Sequence, residues 1–212
     1  MGNSPVLVDG IEEARKGWVL VVSSRGSWLL RERAVSEMGL GEGSSLVPAE
    51  MDELASKQQM SPARRDLQRY LAGAEHTRDQ LRHYLEGRLY HTGVIDNLIQ
   101  WAVDTGLVDD LRYAEAFIRS HSGRSPMGNF RMRLELGKRG VPSEITDELL
   151  HERDEEELFG DLVREVRSKY GRLERTRAFR RASGYLQRRG FAHDLVRRVL
   201  ESALDDRREA GD

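Results

Sequence analysis

Histidines are the side chains most often used to move a proton or hold a metal, so their spacing is the first test. His76, His83, His91, His121, His151 and His193 form no H-x-x-x-H or H-E-x-x-H string, and His76 and His91 each precede a threonine near a helix start. Metal ligation is therefore not expected. There is no cysteine, which excludes disulfides, zinc ribbons and thiol nucleophiles and suits a reducing cytoplasm. No G-x-S-x-G elbow is present. Asp109-Asp110 is an acid pair of the kind that holds magnesium, but carboxylates at the front of a helix are already accounted for by the helix dipole. Gly39, Gly41 and Gly43 resemble a phosphate loop, yet no Lys-Ser or Lys-Thr follows and the spacing is not G-x-G-x-x-G, so they read as turns. The sequence predicts no enzyme, no metal and no cofactor.

Arginine is the remaining chemistry. All cationic residues except Lys16, Lys57, Lys138 and Lys169 are arginine, a planar group suited to bidentate contact with phosphate or carboxylate. The net charge of −2 is uninformative, but its distribution is not: residues 141–161 carry one basic against nine acidic side chains, and residues 164–189 carry ten against two. Two clusters stand out, Arg131, Arg133, Lys138 and Arg139, and then Arg175, Arg177, Arg180, Arg181, Arg188 and Arg189. They recur at equivalent places in a repeat described below, which predicts a basic stripe suited to a nucleic-acid backbone or an acidic groove. Arg112 and Arg119 are further candidates. The alternative is a solvated charged helix face.

The elements that would position these residues are mostly helical. Before them, Trp18–Val22 and Ser27–Leu30 predict a hairpin around Ser23-Ser24-Arg25-Gly26. A helix over about 31–38 and a short helix opened by Pro48 and ending near Lys57 follow. Ser61-Pro62 then reads as a new helix start, and Thr77-Arg78-Asp79-Gln80 as a capping box. The string Leu85–Ile99 recurs at Leu136–Leu150 after a shift of 51 and at Leu186–Leu200 after a further 50. Each copy is a helix end, an arginine, a turn and a second helix, preceded by another helix. Three tandem three-helix units in an elongated stack are predicted, winged-helix-like without the wing. The expected divisions are 1–60 (β-hairpin with short helices), 61–105, 106–154 and 155–205 (the three repeats) and 206–212 (a disordered tail). Leu107, Leu111, Ala114 and Ile118 are expected to share one face of the helix beginning at Asp109, and Glu155-Glu156-Glu157 to be a solvated helix start. Of Tyr70, Tyr84, Tyr113, Phe117, Phe130, Phe179, Tyr185 and Phe191, most sit at helical spacing with leucines, which favours core packing over base-stacking platforms.

These strings resemble the RecX family of bacterial recombinase regulators over about residues 64–200. The resemblance is carried by Tyr70-Leu71, Thr77-Arg78-Asp79-Gln80-Leu81-Arg82-His83-Tyr84-Leu85, Gly106-Leu107-Val108-Asp109-Asp110-Leu111-Arg112-Tyr113-Ala114-Glu115, Arg133-Leu134-Glu135-Leu136-Gly137-Lys138-Arg139-Gly140-Val141 and Tyr185-Leu186-Gln187-Arg188-Arg189-Gly190-Phe191. It implies a non-enzymatic protein that binds RecA nucleoprotein filaments and restrains strand exchange, ATP hydrolysis and co-protease activity. It also implies sequence-independent contact with single- and double-stranded DNA. Leu89 departs from the pattern, standing where the other repeats have Gly140 and Gly190. A monomer in the cytoplasm, without membrane contact, is expected, since no apolar run reaches the roughly 20 residues of a membrane helix. A sequence-specific helix-turn-helix transcription factor and a helical protein scaffold are the competing readings.

Overall fold

The computed structural model describes residues 4–123 and 125–205; the tail expected at 206–212 and Arg124 lie outside the described residues. The chain divides into two compact units, 1–109 and 110–212, and it is mainly helical.

The first unit opens with a four-stranded antiparallel sheet of order β3-β2-β1-β4, built from β1 (Val6–Arg15), β2 (Trp18–Ser23), β3 (Gly26–Arg31) and β4 (Ser45–Leu46). The predicted hairpin is β2–β3, with a tighter turn than expected, because Ser23 pairs with Gly26 and only Ser24 and Arg25 lie between them. The Ser23 hydroxyl donates to the Gly26 carbonyl at 3.2 Å and accepts from the Arg25 N–H at 3.2 Å, closing the turn. Strand β1 was not expected. Its pairing with β2 shifts register between Val8 and Gly10 and again between Glu13 and Arg15, so the alternation that marks a strand is interrupted twice. Gly39 and Gly43 adopt φ of +63° and +78°, as the turn reading requires.

After α1 (Glu32–Glu37), the break expected at Ser61-Pro62 does not occur. One helix, α2, runs Pro48–Leu71 with Pro62 inside it. A proline in a helix forfeits the bond to the carbonyl four residues back and strains the turn, and here tertiary contacts hold that turn in place. Gln59 is fully buried; its amide donates to the Leu29 carbonyl at 2.7 Å and its oxygen accepts from the His91 N–H at 2.6 Å. The Gln58 oxygen accepts from the Arg31 N–H at 2.7 Å. Met51 and Ala55 pack with the sheet, whereas Ala63 and Leu67 pack with α3 (Arg78–Glu86) and α4 (Thr92–Asp104). The hairpin segment and the first three-helix group therefore share a helix, and a division at residue 60 falls within it. The Thr77 capping box is present as read: its hydroxyl accepts from Gln80 N–H and the Gln80 side chain returns to Thr77 N–H, both at 3.1 Å.

The second unit holds two further three-helix groups. These are α5 (Asp110–Ser120), α6 (Asn129–Gly137) and α7 (Ser143–His151), and then, after a 3-10 turn at Glu155–Leu158, α8 (Phe159–Tyr170), α9 (Arg175–Arg188) and α10 (His193–Asp205). Ala114 and Ile118 join the core of the middle group, but Leu111 and Leu107 are 44% exposed and lie off the expected stripe.

All three groups turn from second to third helix in the same way. Tyr90, Val141 and Phe191 donate their N–H to the carbonyls of Leu85, Leu136 and Leu186, five residues back, and both members of each pair are buried. This is the hydrogen bond and apolar contact of a Schellman motif, and it demands a left-handed residue just before its last member. Leu89, Gly140 and Gly190 meet that demand, with φ of +61°, +73° and +82°. Leucine does so at a cost, because an L side chain in this region is strained by about 1–2 kcal/mol. Leu89 is half exposed and contributes little packing. Leu89→Gly is expected to raise unfolding stability by about 0.5–1 kcal/mol, the relieved strain less the extra freedom of glycine in the unfolded chain. Urea denaturation checks this, and a loss of stability would refute the strain.

Candidate nucleic-acid interface

Recurrence of arginine at equivalent repeat positions suggested a continuous stripe, and the structure separates that recurrence into two causes. The first is internal. The arginine that follows the second helix, Arg88, Arg139 or Arg189, lies over an aromatic ring of its own group. Arg88 is 4.5 Å from the Tyr84 centroid, Arg139 4.9 Å from Phe117 and Arg189 5.1 Å from Tyr185. Each also meets a carboxylate: Asp66 at 3.7 Å, Glu135 at 3.0 Å and Glu165 at 2.7 Å. Arg133 likewise pairs with Asp147 at 2.7 Å, repeating the Arg82–Asp96 pair at 2.6 Å one group earlier. These arginines tie helices together.

Arg189 also joins the last two groups. Its side chain is 13% exposed. Its Nε donates to the Pro126 carbonyl at 2.9 Å, with Nη2 on the same oxygen, while Nη1 reaches both Glu165 and the Tyr185 hydroxyl. Around it the two backbones run in direct contact. Gly128 N–H donates to Arg189 O at 2.8 Å and Phe130 N–H to Gly190 O at 3.1 Å. A Cβ on Gly128 would lie 2.2 Å from the Gly190 carbonyl carbon, and one on Gly190 2.3 Å from the Arg131 nitrogen. Glu155, expected to be solvated, instead has a side chain only 12% exposed that accepts from Asn129 N–H and from Ala192 N–H at 3.4 Å, placing its charge at the starts of α6 and α10. Glu156 pairs with Arg198.

The second cause leaves cations on the surface. Arg177, Arg180, Arg181 and Arg188 are exposed on α9 and make no ion pair among the described residues. Arg175 is exposed beside them. Helix α9 contains no acidic residue, and its face forms a groove of about 650 Å³ lined by Arg175, Thr176, Phe179, Arg180, Ser183, Gly184 and Gln187. On α6 the cations are more engaged. Arg131 donates to the Arg188 carbonyl at 3.0 Å and lies 3.7 Å from Glu135, and Lys138 lies 3.3 Å from Glu135. Arg119 is exposed at the end of α5, and Arg112 is half-buried. The sequence reading therefore located the surface cations on α9 but could not distinguish them from Arg139 and Arg189, whose carboxylate partners are set by the fold.

Two aromatic assignments are corrected. Phe130 is 70% and Phe179 42% exposed, whereas Phe191 is buried and Tyr84, Tyr113, Phe117 and Tyr185 pack against the cores. On α6 the sequence shows that two apolar faces exist but not which one is outward. Phe130, Met132, Leu134 and Leu136 alternate with polar residues, and on a helix that alternation places 130 and 134 opposite 132 and 136. Among the described residues no group of three or more His, Asp or Glu is placed to hold a metal, and no helix is long and apolar enough to cross a membrane.

The class defined by this geometry is a tandem three-helix repeat protein whose distinctive surface is an acid-free arginine helix in its last repeat. A family model described as "RecX, second three-helix domain" matches residues 109–150. A regulatory protein RecX of Halorhodospira halophila is 38% identical over 65% of this chain and 86% of its own length. That of Trichlorobacter lovleyi is 30% identical over 63% and 90%. The chain belongs to the RecX family of regulatory proteins. Its fold is similar to a crystal structure of regulatory protein RecX, with TM-score 0.60 at 18% identity over 92% of this chain and 98% of that one. It is also similar to RecX from Lactobacillus salivarius, with TM-score 0.61 at 21% identity over 68% and 96%.

The Glu165 cluster yields a pH-dependent expectation. Burial alone would raise this carboxyl, but hydrogen bonds from Lys169, Tyr185 and Arg189, together with the Arg189 charge, outweigh it and hold the pKa at about 2, against an ordinary 4.5. A depressed folded-state pKa contributes stability that is present above 4.5 and is lost as pH falls toward 2. Arg189→Ala should therefore destabilise the second unit by about 3 kcal/mol at pH 7, the scale for breaking a buried pair. The share of that loss owed to Glu165 should fade as pH falls from 4.5 toward 2, while the share owed to the Pro126 carbonyl persists. Chemical denaturation at about pH 7 and at about pH 2 checks it; an equal loss at each would mean that Glu165 is not the partner that matters.

Proposed function

We propose that this protein regulates homologous recombination and the SOS response in the cytoplasm by binding RecA nucleoprotein filaments as a monomer and restraining strand exchange, ATP hydrolysis and co-protease activity. Family membership supports the reading, since the relatives named above are regulatory proteins. The single observation that carries it to particular residues is the acid-free face of α9, on which Arg177, Arg180, Arg181 and Arg188 have no carboxylate partner among the described residues. Unpaired guanidiniums on a rigid helix need no rearrangement to meet phosphate oxygens, and such contact is indifferent to base sequence. DNA within the filament and free single- or double-stranded DNA are the ligands for this face.

The phosphate contacts are accordingly Arg175, Arg177, Arg180, Arg181 and Arg188 on α9, while Arg131, Arg133 and Lys138 on α6 and Arg112 and Arg119 on α5 belong to the wider filament-facing set. Arg139 and Arg189 support the fold and are left out of it. Arg177→Ala, Arg180→Ala and Arg181→Ala combined should abolish inhibition of RecA-driven strand exchange while preserving helical content. The slope of log affinity for single-stranded DNA against log salt should become shallower by about 2, as expected for three lost phosphate contacts. Unchanged inhibition with an unchanged slope would refute the assignment. A preference of several orders of magnitude for one duplex sequence would favour a transcription factor instead.

A further inference from the structure

Helices α6 and α9 occupy equivalent places in neighbouring repeats, yet they present different chemistry. On α6 the outward residues include Phe130 and Leu134, 70% and 50% exposed and one helical turn apart, while Met132 and Leu136 on the opposite side are fully buried. The outer pair does nothing for the core. It is also held rigidly, because the N-terminus of α6 is bonded to the Gly190 turn and to Glu155.

The charges around the pair decide what it fits. Arg131 and Lys138 lie 3.7 and 3.3 Å from Glu135, and Arg133 lies 2.7 Å from Asp147. The Glu135 carboxyl is held below the ordinary range by hydrogen bonds from Arg139 and Lys138, so it stays ionised beside them. A polyanion would find these cations already neutralised and carboxylates among them. An apolar centre with a rim of mixed, mutually paired charge is instead the composition of a protein-protein contact.

We propose that the Phe130–Leu134 face of α6 docks an apolar ridge of a protein partner, leaving phosphate to α9. This rests on the filament reading, in which the protein coat is that partner. The two repeats then read the two components of one filament, α6 its protein and α9 its nucleic acid.

Phe130→Ser with Leu134→Ser tests this, since both residues are exposed and circular dichroism should be unchanged. Fluorescence anisotropy would compare binding to a labelled single-stranded oligonucleotide, bare and coated with RecA and a non-hydrolysable ATP analogue. Affinity for the coated strand should fall by about tenfold or more, the effect of removing an aromatic anchor, while affinity for the bare strand should stay within about twofold. The conservative pair Phe130→Tyr with Leu134→Met should keep most of the coated-strand affinity. Equal losses on both probes would make this a base-stacking site and overturn the proposal, as would no loss on either. A wild-type protein that binds the bare strand but not the coated one would overturn the filament reading, and this assignment with it.

Discussion

The close approach of Gly128 to Gly190 is the constraint on which the second unit depends. Two backbones can come within hydrogen-bonding distance here because neither residue carries a Cβ, which would stand 2.2–2.4 Å from the facing chain. The approach then exposes donors that must be satisfied, and the sequence supplies the groups: Arg189 and Gly190 carbonyls for Gly128 and Phe130, Glu155 for Asn129 and Ala192, and the Arg189 side chain for the Pro126 carbonyl. Where the group is buried, as at Gly128 and the Pro126 carbonyl, losing the partner costs more than the bond contributes. The joint therefore ties the start of α6 to the turn that follows α9.

This arrangement clarifies why the repeats are similar without being equivalent. Their shared features serve the fold: the Schellman turn, the left-handed residue within it, and the arginine stacked on an aromatic ring beside a carboxylate. Their differences lie on the exposed helix faces. The ion pair formed by Arg82 with Asp96, and by Arg133 with Asp147, has no counterpart in the last repeat, where Ser183 and Arg197 occupy those positions. Arg197 turns instead to Asp194 and Glu201, and Ser183 lines the α9 groove. The last repeat therefore lacks the ion pair that links second and third helices in the other two.

Much of the helical scaffold was legible because its signals are local. The Thr77 capping box and the turn strings at 85–90, 136–141 and 186–191 depend on residues a few positions apart, so sequence spacing suffices to read them. Strand β1 was not legible, because its two register shifts break the alternation. Nor was the continuity of α2, because Pro62 is a local stop signal overruled by the distant partners of Gln58 and Gln59, Arg31, Leu29 and His91. The candidate binding surface was legible only as a concentration of arginine. Arg189 and Arg181 look alike in sequence, and what separates them is Glu165, more than one helix away in the chain. Phe130 was misread for a related reason: a turn-spaced apolar pair shows that a helix has an apolar face, not which way that face points.

A repeat scaffold that acts on a recombinase filament must change the filament's own activity. The wild-type protein would be titrated into RecA from the same organism on single-stranded DNA, following ATP hydrolysis and strand exchange in parallel. The account predicts that both rates fall together in a dose-dependent and salt-sensitive manner, as expected of contacts made through phosphate. Rates that stay unchanged at concentrations where the protein is bound to the DNA would contradict it.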